Sequence, residues 1–180
     1  MSFLTIKALE EAEALQTLIF PLNVPTDEEA LNWQTLDLSK SSLNACYSKP
    51  ERDEKSGEMN SWYDMEIIVE GQHDLPPKEK WFYIVTDDGD GFKARFSGRK
   101  IKKLSTFEDK EIIGRWVKGR LADLDFITGF EYVYQDKRRI GIITKEVLKS
   151  YGADKLVLKK TNKTKKDGRG TERDVWFLSF

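Results

Sequence analysis

Hydrophobic residues recur with helical spacing at the start of the chain. Residues 4–19 place their leucines and the final isoleucine roughly on one face with acidic residues opposite, and Pro21 follows, so the pattern predicts one amphipathic helix. From there to about residue 60 the pattern is irregular. Residues 44–48 form a possible short strand, and residues 49–61 are predicted to be a polar loop.

The centre of the chain has the composition of β-strands. Residues 62–70 and 81–87 are rich in aromatic and β-branched side chains, which favour strands. The sequence DDGDG at 87–91 is typical of a turn and leads into residues 92–96, where apolar and basic residues alternate. We therefore predict that residues 81–96 form a hairpin.

Two further helices are predicted in the second half. Ser105 and Glu108 have the spacing of a capping box, which predicts a helix that begins there and runs to about Leu124. A shorter helix is predicted from Thr144 to Gly152, where the glycine favours a C-cap. The apolar residues of the long helix follow the 3.6-residue period and are expected to face the core: Ile112, Ile113, Trp116, Val117, Leu121 and Leu124.

Two strands are predicted at the end of the chain, at 155–161 and 175–180, joined by a basic, flexible loop. The whole pattern favours the α+β class, with a mostly antiparallel, barrel-like sheet and two helices. With 180 residues, 39% of them hydrophobic, the chain can fill one core. We expect an N-terminal helix or linker over residues 1–19 and a single domain over residues 20–180.

Charge is distributed unevenly along the chain. The formal net charge is -1, which taken alone argues against a nucleic-acid binder. Residues 1–90, however, contain 19 acidic and 7 basic residues, whereas residues 91–180 contain 12 and 23. The two halves therefore have net charges of -12 and +11, and the basic half is where a polyanionic partner is expected.

Composition excludes several classes of protein. No apolar run approaches the length of a membrane span, the N-terminus lacks the pattern of a secretory signal, and 21 aromatic residues argue against disorder. The single cysteine, Cys46, excludes a disulfide framework and fits a reducing compartment. We therefore expect a cytoplasmic protein without a membrane partner.

The signals for catalysis are weak. The one histidine, His73, lies in a predicted loop, and no serine has a nucleophile motif around it, although a Ser-His-Asp triad remains formally possible. One histidine and one cysteine do not make a Cys/His zinc cluster. Two acid-x-Lys triplets, at 53–55 and 108–110, keep a metal-dependent nuclease as an alternative, but several such triplets are expected by chance in so charged a chain. We predict no catalytic residue, no metal and no cofactor.

The basic residues after position 91 include a dense cluster that contains no acid. Its members are Lys93, Arg95, Arg99, Lys100, Lys102 and Lys103. Lys93 and Arg95 alternate with apolar neighbours, so they are expected to share the exposed face of a strand. A solvated strand face normally mixes the two signs of charge. This cluster therefore favours contact with nucleic-acid phosphates, and with guanine edges through its Arg and Lys side chains.

Two other basic groups are weaker indications. Arg115, Lys118 and Arg120 lie in the predicted long helix, where phosphate contact and a solvated helix face explain them equally well. The basic residues near the last loop are expected to be mobile and to contact at most the DNA backbone: Lys159, Lys160, Lys163, Lys165, Lys166 and Arg169.

Several segments resemble, in order, the C-terminal DNA-recognition domain of NgoFVII-type restriction endonucleases. They are FPL, ALNWQ, LNACYSKP and WYDMEIIV, then LPP…WFYIVTDDGDGFKARFSG, IIGRWVKGRL, ITKEVLKSYG and the closing VWFLSF. The resemblance covers about residues 20–180. The combination of TDDG…F with G-x-W-x-K-G-R-L carries most of its specificity.

This resemblance implies a B-three-like pseudobarrel, related to the plant B-three transcription-factor domain and to the recognition domains of the BfiI and EcoRII enzymes. Two arms of such a domain enter the major groove. The second arm would lie around Lys93–Ser105, and the segment departs from the family pattern at Gly98-Arg99 and Lys102-Lys103, so the target sequence does not transfer. The first arm would lie around Asn32, Trp33, Gln34, Lys40 and Asn44. The side-chain amides of Asn32, Gln34 and Asn44 suit adenine, whereas Trp33 suits the core equally well.

In that family, cleavage belongs to a separate phospholipase-D-like domain with a His-x-Lys signature, whereas His73 is followed by Asp74 and Leu75. The sequence therefore favours a monomeric, sequence-specific reader of double-stranded DNA that works with a separate or fused nuclease domain. Two alternatives stay open: a self-contained restriction nuclease, and a protein-interaction module. The predicted DNA-binding residues are Asn32, Gln34, Lys40, Asn44, Lys93, Arg95, Arg99, Lys100, Lys102, Lys103, Ser105, Arg115 and Lys118.

Overall fold

A six-stranded sheet is the main structural element of the protein. The structure, a computed structural model, describes residues 5–32, 41–43 and 50–180. The strands are β1 (Ala14–Pro21), β2 (Phe82–Thr86), β3 (Gly91–Ser97), β4 (Lys103–Thr106), β5 (Lys155–Lys166) and β6 (Glu172–Ser179). Their order in the sheet is β1-β5-β6-β2-β3-β4.

The sheet is curled into a half-barrel and is mixed. Four of the five strand pairings are antiparallel, and β2 with β6 is parallel. Within the described residues there are four α-helices, where an N-terminal helix and two further helices were predicted: α1 (Ile6–Glu11), α2 (Asp27–Leu31), α3 (Ile112–Asp123) and α4 (Lys145–Tyr151), besides a 3-10 helix at Val133–Gln135. The α+β class and the barrel-like sheet are thus confirmed, and the helix count is corrected. None of these helices is long and apolar enough to cross a membrane.

The chain divides into two compact units. The first combines Met1–Pro21, Ile67–Glu108 and Lys155–Phe180 and contains the sheet and α1; the second combines Leu22–Glu66 and Asp109–Asp154 and contains the other three α-helices.

One face of the sheet in the first unit is apolar because every second residue of β2 and β3 points to it. Phe82, Ile84, Ala94 and Phe96 are buried there. The ring of Trp176 lies 4.9 Å from that of Phe82 and 5.7 Å from that of Phe96, centroid to centroid. Burial of each large side chain contributes about 1.5–3 kcal/mol, so this cluster holds β2, β3 and β6 together.

The predicted hairpin is confirmed as β2, a turn and β3. In the turn the Thr86 hydroxyl donates to the Asp88 carboxylate and accepts from the Asp90 amide at 3.0 Å. Gly89 has φ +94°, a left-handed conformation that favours glycine. The polar turn residues therefore set the register that places Lys93 opposite Tyr83.

The predicted N-terminal helix is only partly correct. Helix α1 ends at Glu11, and Ala14–Pro21 forms β1, which pairs with β5. Leu18 and Phe20 are buried while Leu15 and Ile19 remain exposed. Leucine at this spacing fits either period, and the pairing with a distant strand overrides the local helical preference.

Residues 62–70 do not form the predicted strand. The segment makes one isolated bridge, between Ile68 and Lys103. Ile67 and Val69 are nevertheless buried. The alternating pattern therefore reports burial correctly, but the segment lacks a continuous partner for a backbone ladder. The possible strand at 44–48 lies outside the described residues.

Helix α3 begins at Ile112 rather than after Ser105. Ser105 lies in β4 opposite Arg95, so the predicted capping box does not form. The expected apolar face is buried at Ile113, Trp116, Val117 and Leu121, but Leu124 at the C-cap is 55% exposed. Helix α4 is as predicted, with the Thr144 hydroxyl accepting from the Val147 amide and a left-handed Gly152 at its end.

The basic segment predicted to be a flexible loop is largely strand. β5 continues to Lys166 and β6 begins at Glu172. The short connection is closed by the Asp167 carboxylate, which accepts from the amides of Arg169 (2.8 Å) and Thr171 (3.0 Å). The lysines of this segment consequently have definite places on the sheet.

Candidate nucleic-acid interface

Strand β3 presents two cations on the face of the sheet opposite the apolar one. Ala94 and Phe96 are buried, whereas Lys93 and Arg95 between them are half-buried. Because neighbouring side chains of a strand point to opposite faces, this pattern confirms the predicted alternation.

Aromatic rings lie beneath both cations. The Lys93 ammonium is 5.2 Å from the centroid of the Trp81 ring, and the Arg95 guanidinium carbon is 4.7 Å from that of Phe107. Each such cation–π contact contributes about 0.5–1 kcal/mol at an exposed site. The rings restrict the long side chains, which lowers the entropy lost when the charged groups bind an anion.

The turn between β3 and β4 carries three of the remaining predicted residues. Arg99, Lys100 and Lys102 are exposed. Gly98 has φ +103°, and a Cβ built on it would overlap the carbonyl oxygen of Ile101. The turn therefore requires glycine at its start, and its geometry determines the direction in which the three cations project.

The base of this turn is fastened on both strands. Ser97 and Ser105 share a hydrogen bond between their hydroxyl oxygens at 3.0 Å, and Ser97 lies opposite Lys103 in the ladder. The carbonyl of Lys102 accepts from the Val69 amide at 2.8 Å. Ser105 and the half-buried Lys103 thus support the turn, whereas Arg99, Lys100 and Lys102 extend from it.

Two further cations, Lys165 and Arg173, lie on the same sheet face, which the sequence did not predict. Lys165 in β5 has its ammonium 4.8 Å from the Tyr83 ring, and Arg173 in β6 has its guanidinium carbon 4.2 Å from the Trp81 ring. Lys165 was expected in a mobile loop and Arg173 was not singled out. Four consecutive buried residues follow Arg173 and Asp174 in β6. This part of the strand therefore lacks the alternation of apolar and polar residues from which the sequence could have predicted the face of Arg173.

Lys118 in α3 does not reach the surface. The side chain is fully buried, and its ammonium donates to the carbonyls of Trp62 and Asp64, each at 2.6 Å. The ammonium also lies 5.5 Å from the Trp62 ring centroid. We therefore remove Lys118 from the predicted DNA-binding set, because its charge is used inside the second unit.

The other two cations of α3 have partners of their own. Arg115 pairs with Asp109 and, at 2.8 Å, with Glu111. The hydrogen bond to Asp109 raises the pKa of Arg115, and the same bond, aided by the Glu111 amide, lowers the pKa of Asp109. Arg120 lies 4.7 Å from the Trp116 ring. Two carboxylates offset the charge of Arg115, so it is a poor candidate for phosphate contact.

Of the predicted first arm, the structure describes one residue. Asn32 is exposed at the C-cap of α2, where its backbone amide donates to the Glu29 carbonyl at 3.1 Å. Helix α2 is fixed at its other end, because the Asp27 amide donates to the Glu146 carboxylate at 2.7 Å and the Lys145 amide to the Pro25 carbonyl at 2.8 Å. Gln34, Lys40 and Asn44, together with Trp33, lie outside the described residues.

His73, Asp53 and Asp109, which lie at the positions considered for catalysis, are engaged in local structure. His73 shares a 3.0 Å hydrogen bond with the Glu70 carbonyl. The Asp53 carboxylate accepts from the amides of Lys55 and Ser56, each at 2.8 Å, and Asp109 pairs with Arg115. In the parts of the chain that the structure covers, no group of three or more His, Cys, Asp or Glu side chains is arranged to hold a metal ion.

Comparison with known proteins gives one family. No curated protein matches the chain. A family model, the NgoFVII C-terminal B3-like DNA-binding domain, matches residues 23–162, which include the β3–β4 turn, helix α3 and most of β5. The chain therefore belongs to the family of the NgoFVII C-terminal B3-like DNA-binding domain.

Proposed function

We propose that this protein binds double-stranded DNA sequence-specifically through the major groove, as the target-recognition module of a restriction endonuclease whose nuclease domain these residues do not supply. The observation that carries the proposal is the run from Lys93 to Lys103, which contains six basic residues and no acid. Its cations occupy one strand face and one exposed turn.

The shape of this region supports major-groove binding. Strands β3 and β4 form a two-stranded antiparallel ribbon that ends in the turn at Gly98. The major groove is about 12 Å wide and admits such a ribbon. Lysines along the ribbon suit phosphates, and the arginine at the turn suits the paired acceptors of guanine.

We assign the remaining predicted residues to roles that follow from their chemistry. Arg95, Arg99, Lys100 and Lys102 contact DNA from the β3–β4 ribbon, together with Lys93. Asn32, Gln34 and Asn44 form a second reading group through their amides, and Lys40 contacts a phosphate. We also propose that residues 20–180 form a single DNA-binding domain; β1, which begins at Ala14, adds a strand to its sheet. The isolated protein acts as a monomer in the cytoplasm.

The experiment has two stages. Selection from random duplexes identifies a preferred sequence, and fluorescence anisotropy then measures its affinity as a function of salt. We expect log Kd to rise linearly with log salt concentration, because several phosphates release counterions. Replacing both Arg95 and Arg99 by Glu is expected to weaken binding by about 100-fold at low salt, while the thermal midpoint stays within a few degrees.

A matched control carries the same change of net charge elsewhere. Lys149→Glu with Lys155→Glu reverses two exposed lysines, one in α4 and one at the start of β5. We expect this variant to bind with near wild-type affinity. Equal losses in both double variants would show that net charge, rather than the β3–β4 ribbon, governs binding. Cleavage of plasmid by the pure protein with Mg²⁺ would instead identify it as a self-contained nuclease.

A further inference from the structure

The sheet face that carries Lys93 and Arg95 continues across two more strands. Tyr83 lies opposite Lys93 on β3 and opposite Val175 on β6, so all three side chains share this face. Arg173 precedes Val175 by two residues and therefore points the same way, and Lys165 lies directly opposite Arg173. Four cations from β3, β5 and β6 thus share one surface.

Two aromatic residues, Tyr83 in β2 and Trp81 just before it, contact Lys165 and Arg173, which we call the outer cations. The Trp81 ring centroid lies 5.2 Å from the Lys93 ammonium and 4.2 Å from the Arg173 guanidinium carbon, and the Tyr83 ring lies 4.8 Å from the Lys165 ammonium. The two rings contact each other at 5.3 Å, edge to face. Long cationic side chains whose stems rest on rings keep their charged groups at the surface in a narrow range of positions.

Helix α1 covers the rest of this face and so limits the basic surface. Leu9 packs on Val175 and Phe177. Lys159 is occupied there, because its ammonium donates to the carbonyls of Glu10 (2.8 Å) and Ala12 (3.1 Å) at the end of α1. The face is therefore divided into an apolar part under α1 and a basic part around Trp81 and Tyr83.

Asp167 offsets part of the charge of Arg173, whereas no carboxylate is paired with Lys165 among the ion pairs described. Arg173 pairs with Asp167 through its Nε at 3.1 Å, which leaves its terminal nitrogens for other acceptors, one of them the Glu79 carbonyl at 3.4 Å. Asp174 lies beside Arg173 in sequence but pairs with Lys160 at 3.7 Å. Neighbouring strand residues point to opposite faces, so Asp174 does not offset the surface around Lys165.

We propose that Lys165 and Arg173, resting on Tyr83 and Trp81, form a second phosphate-binding surface, which contacts the DNA backbone beside the bases read from the β3–β4 turn. The inference rests on the proposed function and adds a separate anchoring site to it. Lys165 in β5 is three strands from β3, about 14 Å at the usual strand spacing. That distance corresponds to about four base-pair steps, so the contact lies outside the segment that β3 itself touches.

The decisive comparison uses two adjacent lysines of one strand. Lys165 and Lys166 are both exposed in β5, and they point to opposite faces of the sheet. Lys165→Gln is expected to lower the slope of log Kd against log salt by about one. When salt is lowered from 200 to 50 mM, the affinity of the variant then increases by a factor about three- to fourfold smaller than that of the wild type. Lys166→Gln, with the same net charge, is expected to match the wild type.

Two further measurements separate an anchoring role from base reading. Lys165→Gln should weaken target and non-target duplexes by the same factor, and Lys165→Arg should restore the wild-type slope. Shortening the duplex to the selected target should remove the difference between Lys165→Gln and the wild type, since the flanking phosphates are then missing.

The outcomes also separate this inference from the proposed function. If the wild type shows no salt-dependent affinity for duplex DNA, the proposed function fails. If the wild type binds but Lys165→Gln and Lys166→Gln behave alike, the second surface does not exist and the β3–β4 ribbon stands alone. A loss confined to the target duplex would identify Lys165 as a base-reading residue and overturn the anchoring role.

Discussion

Arg95 rests on Phe107 on the basic strand face: the guanidinium carbon lies 4.7 Å from the ring centroid. The Arg95 Nε is buried, and among the described residues it has no hydrogen-bond partner. The Phe107 ring, and no hydrogen bond to this nitrogen within the described residues, therefore holds the Arg95 side chain. This relationship is our structural reason for placing Arg95 at the DNA contact.

Removing the ring should weaken DNA binding without unfolding the protein. For Phe107→Leu we expect a two- to fivefold lower affinity, because a cation–π contact contributes about 0.5–1 kcal/mol to holding Arg95 in position. Fluorescence anisotropy with the selected duplex measures the DNA affinity of the variant. Phe107→Tyr keeps the ring and should bind like the wild type; an equal loss in both variants would disprove a role for the ring.

Gly98 is predicted to be essential for the β3–β4 turn. Gly98→Ala should lower the free energy of unfolding by about 1–3 kcal/mol, because the residue has φ +103° and a Cβ would overlap the Ile101 carbonyl. We also expect weaker DNA binding, since the turn must shift. Gly168→Ala is the control, because a Cβ there meets nothing within 4 Å. Urea titration of both variants tests the difference.

Lys118 is predicted to affect stability and not DNA binding. Lys118→Met leaves the carbonyls of Trp62 and Asp64 without their donor, so we expect the free energy of unfolding to fall by about 2–4 kcal/mol. The folded variant should keep the wild-type salt slope. Lys110→Met makes the same chemical change at an exposed site and should be neutral. A lower salt slope in Lys118→Met would contradict the structural role.

The ion pair of Arg115 with Asp109 should make stability depend on acid pH. Hydrogen bonding to Arg115 lowers the pKa of Asp109 below its usual value. The resulting stabilisation is present above the unfolded-state pKa, about 4, and disappears as pH falls through the lower folded-state value. Arg115→Gln should therefore reduce the thermal midpoint at pH 7 more than at pH 3. Equal reductions at both pH values would argue against this pair, and DNA affinity should not change.

Ile101 should detect the methyl group of thymine if the turn enters the major groove. The side chain is 58% exposed between two lysines, and the thymine methyl lies in that groove. Replacing the relevant thymine by uracil should weaken wild-type binding about three- to fourfold, from about 0.8 kcal/mol for one buried methyl-sized group. The Ile101→Ala variant should show no such effect. Uracil scanning of the selected duplex makes the comparison.

The sequence was sufficient for features that depend on neighbouring residues. The turn of the hairpin follows from its glycines and acids, and the faces of Lys93 and Arg95 follow from alternation in one strand. Helix α4 follows from Thr144 and Gly152, which mark its ends. These features need no distant partner, so a local pattern predicts them.

Other features depend on contacts that the local pattern does not contain. Residues 14–21 became a strand because β5 supplies a ladder, and residues 62–70 failed to become one because the segment has only one isolated bridge. Ser105 has the spacing of a helix cap, yet pairing with Arg95 on β3 keeps it in β4. In each case, backbone pairing with a segment distant in sequence, or the lack of it, determined whether the segment formed a strand.

By itself, then, the sequence determined that a dense basic cluster without acids follows Gly91 and that part of it lies on an exposed strand face. Only the tertiary structure decided which cations are available. Lys118 matches its neighbours in charge, but burial binds its ammonium to two carbonyls. Lys165 and Arg173, more than sixty residues from Lys93, join it on one surface because strand pairing, rather than distance along the chain, sets which side chains are neighbours.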